Sequence, residues 1–410
     1  MLGNRWTILI VLFIARIAMS FQFQTIASTA LFLREHFAVG SGEIGTLIGL
    51  YMASGIVLAF PGGLLVRRFG DMTLSVTGLI LMALGGLLLG LSDTYAMAFL
   101  GRLISGSGAV VMGLALTKMT TDWFAGHEIV TAMSILLASW PLGIALGLVI
   151  QPLLAEQVGW PWVMHGAAAL SALAAGLIAI CYRSPLPASS DETPPPAHPF
   201  KLPPRAETVP TVIAGLIWGL FNLGLIVFFS FVPPLLTEHG SALPDAAFLT
   251  SLALWIMIGS VPAGGYLVQR SERPDAAVML VSGGAGMALL ALAISPGAAL
   301  PLCIALGMMF GPPAGAIMAM PGRVLKPENR AVGLSLFMVT YYVTTAAGPG
   351  VAGLVQDRMG TAAPVVLGAF LFMGIVPLVL AFRAVVPELE RSGQDSPAPR
   401  SIAMRRRSPS

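Results

Sequence analysis

The sequence predicts an all-α membrane protein of twelve transmembrane helices, built as two six-helix bundles with both termini in the cytoplasm. Three observations predict it. The chain of 410 residues is 56% hydrophobic and only 10% charged, with a mean hydropathy of +0.85. It contains twelve long apolar runs, and its first half repeats in its second. A soluble domain carries about 25% charged residues, so the composition argues against a soluble enzyme. Two cysteines, Cys181 and Cys303, both in apolar runs, are too few for a disulfide scaffold and read as small buried thiols. The net charge of +3 does not point to nucleic acid, because the basic residues flank apolar runs as in membrane proteins.

A spanning helix needs about 20 mostly apolar residues. Such runs cover residues 6–33, 42–66, 72–92, 95–117, 128–154, 161–183, 209–236, 246–269, 275–295, 299–322, 331–356 and 362–384. The first run is too long for the core of a signal peptide and has no small-residue cleavage site. With the N-terminus in the cytoplasm, 18 of the 22 Lys and Arg residues fall on the cytoplasmic side. Only Arg34 and Arg358 fall outside, and Arg16 and Arg102 lie within spans. This asymmetry sets the orientation.

The chain divides into a first bundle (1–183), a linker (184–208), a second bundle (209–384) and a tail (385–410). The linker, SPLPASSDETPPPAHPFKLPPRAET, is Pro-rich and polar, so it is expected to be extended or disordered. The tail is polar, ends near Arg405-Arg406-Arg407, and is expected to be a solvated cytoplasmic segment.

A shift near 202 residues superposes the halves. Pro61-Gly62-Gly63-Leu64-Leu65-Val66-Arg67-Arg68 matches Ala263-Gly264-Gly265-Tyr266-Leu267-Val268-Gln269-Arg270. Leu33-Arg34-Glu35-His36 matches Leu236-Thr237-Glu238-His239, and Gly159 matches Gly360. Parallel repeats of this kind are a known transporter architecture, with the binding site at the midplane between the halves.

On these residues the chain resembles the major facilitator superfamily of secondary transporters over nearly its whole length. The loop Gly63-Leu64-Leu65-Val66-Arg67-Arg68-Phe69-Gly70 resembles the family's G-x-L-x-D-R-x-G motif. Arg102-Leu103-Ile104-Ser105-Gly106-Ser107-Gly108-Ala109 resembles R-x-x-Q-G-x-G-A, and Gly159-Trp160-Pro161-Trp162 resembles G-W-R-x-x-F. Gly348-Pro349-Gly350-Val351-Ala352-Gly353 resembles G-P-x-x-G-G, but in the eleventh span rather than the fifth, so no antiport is read from it. The resemblance implies the family fold and transport by alternating access. Within the family the pattern is most similar to the cyanate and nitroimidazole porter branch. It departs from nitrate porters and from the oxalate-formate exchanger, whose intramembrane cations fall in other spans.

The loop motif departs from the family in one respect, with Arg67 where the family has an acid that helps close the cytoplasmic gate. The expected gating set is therefore Gly63, Arg67, Arg68, Gly70, Asp71 and Asp122, with Arg67 or Arg68 pairing with Asp71 or Asp122 when that side is shut. Ordinary solvated charges are the alternative.

All nineteen acids lie in loops or at span ends, whereas two arginines lie mid-span. A cation at a helix centre costs about 2.5–3.5 kcal/mol and is functional by default. Arg16 stands about 15 Å into the first span, close to the midplane of a core about 30 Å thick. A positive cavity without buried acids favours an anion, which a guanidinium binds through two parallel hydrogen bonds. Arg16 is the expected substrate contact. Arg102 either touches substrate or has a structural or relay role. Ser20 and Gln24 follow Arg16 at steps of four, on one helix face. Asn222 is a lone amide in the seventh span, suited to the cavity or to a helix-to-helix bond. Tyr51, Trp140, Trp218, Trp255, Phe310, Tyr341 and Tyr342 lie within spans; of these Tyr51, Trp140, Trp255, Tyr341 and Tyr342 complete the candidate substrate-binding set. Pro141, Pro312, Pro313 and Pro349 are expected to kink their spans.

The sequence thus predicts a secondary transporter in a bacterial inner membrane, monomeric, moving a small organic or inorganic anion. Its partners are that solute and the lipid bilayer, with protons or a counter-anion open as coupling species. No cofactor, metal or nucleic acid is expected. The rivals are proton-coupled efflux of hydrophobic drugs and a receptor or assembly factor on a transporter fold. No nucleotide loop, H-E-x-x-H cluster or nucleophile triad supports an enzyme.

Overall fold

A computed structural model describes residues 4–61, 65, 68–124, 128–183, 202–271 and 273–394. The described residues form helices and connecting turns, with no strand. Among the described residues, twelve helices are long and apolar enough to cross a membrane. In lipid the backbone must satisfy its own hydrogen bonds, and a helix does so within one segment.

The first bundle contains Arg5–Ser28, continued as Ala30–Phe37, then Ser41–Leu58, Asp71–Gly90, Tyr95–Phe124, Ile129–Val158 and Trp160–Cys181. The second contains Arg205–Glu238, Leu243–Arg270, Pro274–Ile294, Ala299–Phe310 with Pro312–Ala319, Arg330–Met359 and Ala362–Gln394. These are the first to twelfth spans in order.

Two runs that the sequence reads as single helices are broken. The first span stops at Thr29, whose backbone leaves the helical region (φ −112°, ψ 13°) and whose hydroxyl donates back to the Thr25 carbonyl. The tenth is interrupted at Gly311, before Pro312 and Pro313, which have no N–H to continue the ladder. Pro141 and Pro349 lie inside helices that run on without interruption. The last helix extends to Gln394, ten residues beyond the apolar run that ends at 384. Residues 184–201 and 395–410 lie outside the described residues.

The repeat is visible in the turns. Gly159 joins the fifth and sixth spans at φ +95°, and Gly360 joins the eleventh and twelfth at φ +88°. Only glycine adopts this backbone without strain, which allows a one-residue reversal between long helices.

The halves meet along two seams, second span against eleventh and fifth against eighth. Apolar helices gain nothing from lipid exclusion, so close approach at small residues drives the contact. A Cβ on Gly45 would stand 2.0 Å from the Pro349 carbonyl oxygen, and one on Gly49 1.9 Å from that of Ala346. These contacts continue to Ser41 and Asp357, at the face that the charge asymmetry assigns to the outside. Asp357 there accepts from the Ser41 and Gly42 backbone N–H groups, both at 2.8 Å.

Candidate functional site

Arg16 is the twelfth of 24 residues in its helix, hence at mid-depth. Its Nε is buried without a hydrogen-bond partner, and no ion pair includes it among the described residues. The groups that act on its charge are Tyr341 and Tyr342, from the eleventh span of the other half. Their rings are 5.0 Å apart and inclined at 58°. Tyr341 continues to Trp218 at 6.3 Å, and Trp218 stacks on Phe221 at 5.7 Å. Tyr342 packs against Gly55, where an added Cβ would stand 2.4 Å from the ring. The result is an unpaired cation opposite two phenols and an aromatic wall, at the junction of the halves.

Arg102 is placed very differently. It is fully buried, and its Nε, Nη1 and Nη2 donate to the carbonyls of Leu47, Gln22 and Phe23 at 3.0, 3.0 and 2.7 Å. Its guanidinium lies 4.4 Å above the Tyr51 ring. Tyr51 in turn donates to the Met19 carbonyl at 2.9 Å. Arg102 and Tyr51 thus tie the fourth, second and first spans together through backbone oxygens.

Ser20 and Gln24 turn away from the tyrosines. Ser20 Oγ lies over Gly143 of the fifth span and donates to the carbonyls of Arg16 and Ile17 at 3.1 and 3.2 Å. Gln24 lies over Gly147 of the same span. A step of four residues advances about 40° beyond a full turn, so the stripe drifts from Arg16 toward the fifth span. Trp140 packs on Phe23 at 5.8 Å, near the same seam. Asn222 bonds back to the Trp218 carbonyl of its own helix at 2.8 Å. Trp255 is exposed, in line with Phe248 and Tyr266, and joins no ring contact among the described residues. Phe310 is buried against Phe228 and Phe372 in the core of the second bundle.

Of the expected gating residues, Gly63 and Arg67 lie outside the described residues. Gly70, at φ +78°, caps the third span. Arg68 lies over the Phe69 ring at 5.6 Å and forms no ion pair among the described residues. The partner of both acids is Lys118, a residue that sequence reasoning passed over. Its Nζ stands 3.0 Å from Asp71 and 2.5 Å from Asp122. Tyr182 also donates to Asp71, at 3.3 Å. The second half repeats this clamp, with Asp275 held by Arg323 at 2.7 Å and Arg383 at 3.9 Å. A signal was available: Asp71 and Asp275 match at a shift of 204, and Lys118 and Arg323 at 205.

Chemically, the site can hold a solute by charge, hydrogen bonding and stacking. The described residues contain no cluster of His, Cys, Asp or Glu able to hold a metal. A family model described as Major Facilitator Superfamily matches residues 12–349. Among curated proteins no sequence matches. Similar solved structures include a bacterial homolog to the human lysosomal transporter Spinster. In its inward-facing and occupied conformation it is 14% identical, with a TM-score of 0.68 over 94% of this chain and 97% of that one. In its inward-facing and unoccupied conformation the identity is 14% and the TM-score 0.69, over 95% and 97% of the chains. At this identity the likeness speaks to the fold alone.

Proposed function

The chain belongs to the Major Facilitator Superfamily, and from that premise we propose that this multi-pass secondary transporter, working by alternating access, carries a small anion bound by Arg16. One observation carries the reading: a guanidinium at mid-depth, between the halves, whose buried Nε has no hydrogen-bond partner and which forms no ion pair among the described residues. A buried charge without a partner is costly. A substrate carboxylate or similar planar anion would meet that cost through the guanidinium fork. Tyr341, whose hydroxyl makes a long contact to Met52 Sδ at 4.0 Å, and Tyr342 act on the Arg16 charge from the opposite half, so one anion would touch both halves at once. Rocking of the halves would then follow the presence of substrate. The resemblance to cyanate-type porters agrees with a small planar anion. Coupling to protons or to a counter-anion is compatible with this site.

The test is ligand-induced thermal stabilisation of the purified chain against a panel of small anions and neutral or cationic aromatics. A ligand at 100 times its Kd adds about 2.7 kcal/mol of stability. The expected result is stabilisation by an anion that disappears in Arg16→Gln. Stabilisation by neutral or cationic aromatics alone, unchanged in Arg16→Gln, would overturn the reading. The wall of Trp218, Phe221, Tyr341 and Tyr342 would then support efflux of hydrophobic compounds.

A further inference from the structure

We infer that Glu207 is a positioning residue of the binding site: from the start of the seventh span it holds the eleventh span by the residue that caps it, and so sets Tyr341 and Tyr342 beside Trp218. The inference rests on the placing of those tyrosines opposite Arg16. Its test needs no ligand, so it is decided separately from the identity of the anion.

Glu207 is the third residue of its helix and is buried, 3% exposed. A buried carboxylate is costly unless it is hydrogen-bonded. Glu207 forms no ion pair among the described residues. Its donors come instead from the connection that precedes the eleventh span. Oε2 accepts from the Lys326 backbone N–H at 3.1 Å, and the Asn329 side-chain amide lies 3.0 Å from Oε1 and 3.1 Å from Oε2. Asn329 is the cap residue of the eleventh span. An asparagine there ordinarily bonds to its own helix through its side chain. Asn329 makes no such bond and gives its amide to Glu207.

The first half makes the same tie with different chemistry. Arg5 matches Glu207 at a shift of 202, and Glu128 matches Asn329 at a shift of 201. The same two shifts relate the contact of Ile17 with Gly143 to that of Gly219 with Thr344, so the correspondence is structural as well as sequential. Glu128 is the cap residue of the fifth span, makes no side-chain cap bond, and pairs with Arg5 at 2.9 Å. The acid thus stands on the cap residue in one half and on the opening helix in the other. The halves share the juxtaposition and not the residues, which marks the tie itself as the common feature. The Arg5 pair is solvated, and such a pair contributes little; the buried tie at Glu207 is the firmer of the two.

Beyond the tie, the eleventh span runs along the seventh. Gly215 and Gly219 admit Thr340 and Thr344, where an added Cβ would stand 2.8 and 2.7 Å from those side chains. Between these contacts Tyr341 meets Trp218 at 6.3 Å. Asn329 and Tyr341 are joined by about 18 Å of unbroken helix. A rigid element carries a displacement of its end along its length. Tyr342 bears on Gly55 of the other half, so the height of the eleventh span also sets that contact.

The experiment is fluorine NMR of the purified full chain carrying fluorotryptophan, with the Trp218 resonance assigned through Trp218→Phe. Glu207→Ala is expected to displace that resonance by more than its linewidth or to split it. The resonance of Trp162, exposed in the other half, should stay in place. Glu207→Gln should restore the wild-type position, because its amide oxygen still accepts from Lys326 and Asn329 can turn its own amide to accept in return. An unchanged Trp218 resonance in Glu207→Ala, even with a lowered Tm, would mean that the carboxylate holds only its loop, and would overturn the inference. Equal displacement of Trp162 would mark a general loosening and overturn it. A displacement in Glu207→Gln as large as in Glu207→Ala would assign the effect to charge and overturn it too. If Glu207→Ala fails to fold, Asn329→Ala decides, since it removes the amide donor and leaves the Lys326 bond: a displaced Trp218 resonance is expected, and an unchanged one overturns the positioning role.

Discussion

Arg16 and Arg102 are the same residue type in the same kind of surroundings, and their neighbours give them opposite roles. Arg102 is surrounded by carbonyls that its three nitrogens satisfy, and its plane is covered by Tyr51. Hydrogen bonds to a charged group contribute about 1.5–3 kcal/mol each. Arg102→Met should therefore destabilise the protein by about 3 kcal/mol or more while the folded fraction keeps its anion response. Arg16→Met should do the reverse. It removes an unpaired cation, so stability without ligand is held or raised, and the anion response is lost. Unfolding curves with and without ligand separate the two outcomes.

At the scale of elements, glycine sets how closely helices approach. Gly45 and Gly49 let the second span lie directly on the carbonyls of the eleventh, and Gly353 gives the same clearance toward Ser41. This contact positions Gly55 under Tyr342 and so fixes one wall of the candidate site. Gly49→Val would drive a side chain into the Ala346 carbonyl, 1.9 Å from its first atom. The expected outcome is a Tm lowered by several degrees and a weaker anion response, because the tyrosines shift with the helix. Gly166→Ala, which meets nothing within 4 Å, is the control and should leave both unchanged.

At the scale of the whole molecule, the two seams are not equivalent. On the second–eleventh seam, Asp357 of one half accepts from two N–H groups at the start of a helix in the other. Glu43 takes the neighbouring Gly40 N–H at 3.1 Å. A carboxylate at a helix N-terminus stabilises it by about 0.5–2 kcal/mol. This contact has to break before the outer face can open. Asp357→Ala should therefore raise the population open to the outside. Thiol labelling of a cysteine placed at Tyr342, on a background lacking Cys181 and Cys303, should proceed several-fold faster from the outer side. An unchanged rate would show that the contact does not hold the gate.

Composition, the lengths of the apolar runs and the repeat were enough to determine a twelve-helix, two-bundle membrane protein. Each rests on local chemistry: a helix must span the lipid, and its apolar length is written in consecutive residues. The charge pattern within the spans was legible for the same reason, so Arg16 stood out as a cation without an acid. Its surroundings were not legible. Nothing in sequence spacing told that three carbonyls wait for Arg102 while the Arg16 Nε has no partner among the described residues, because those carbonyls come from helices distant in the chain. The drift of Ser20 and Gln24 toward the fifth span, the exposed position of Trp255 and the capture of Asp71 and Asp122 by Lys118 have the same origin. Helix packing, set by which small residues let which backbones touch, decides the partner of each buried polar group, and only the tertiary structure contains that packing.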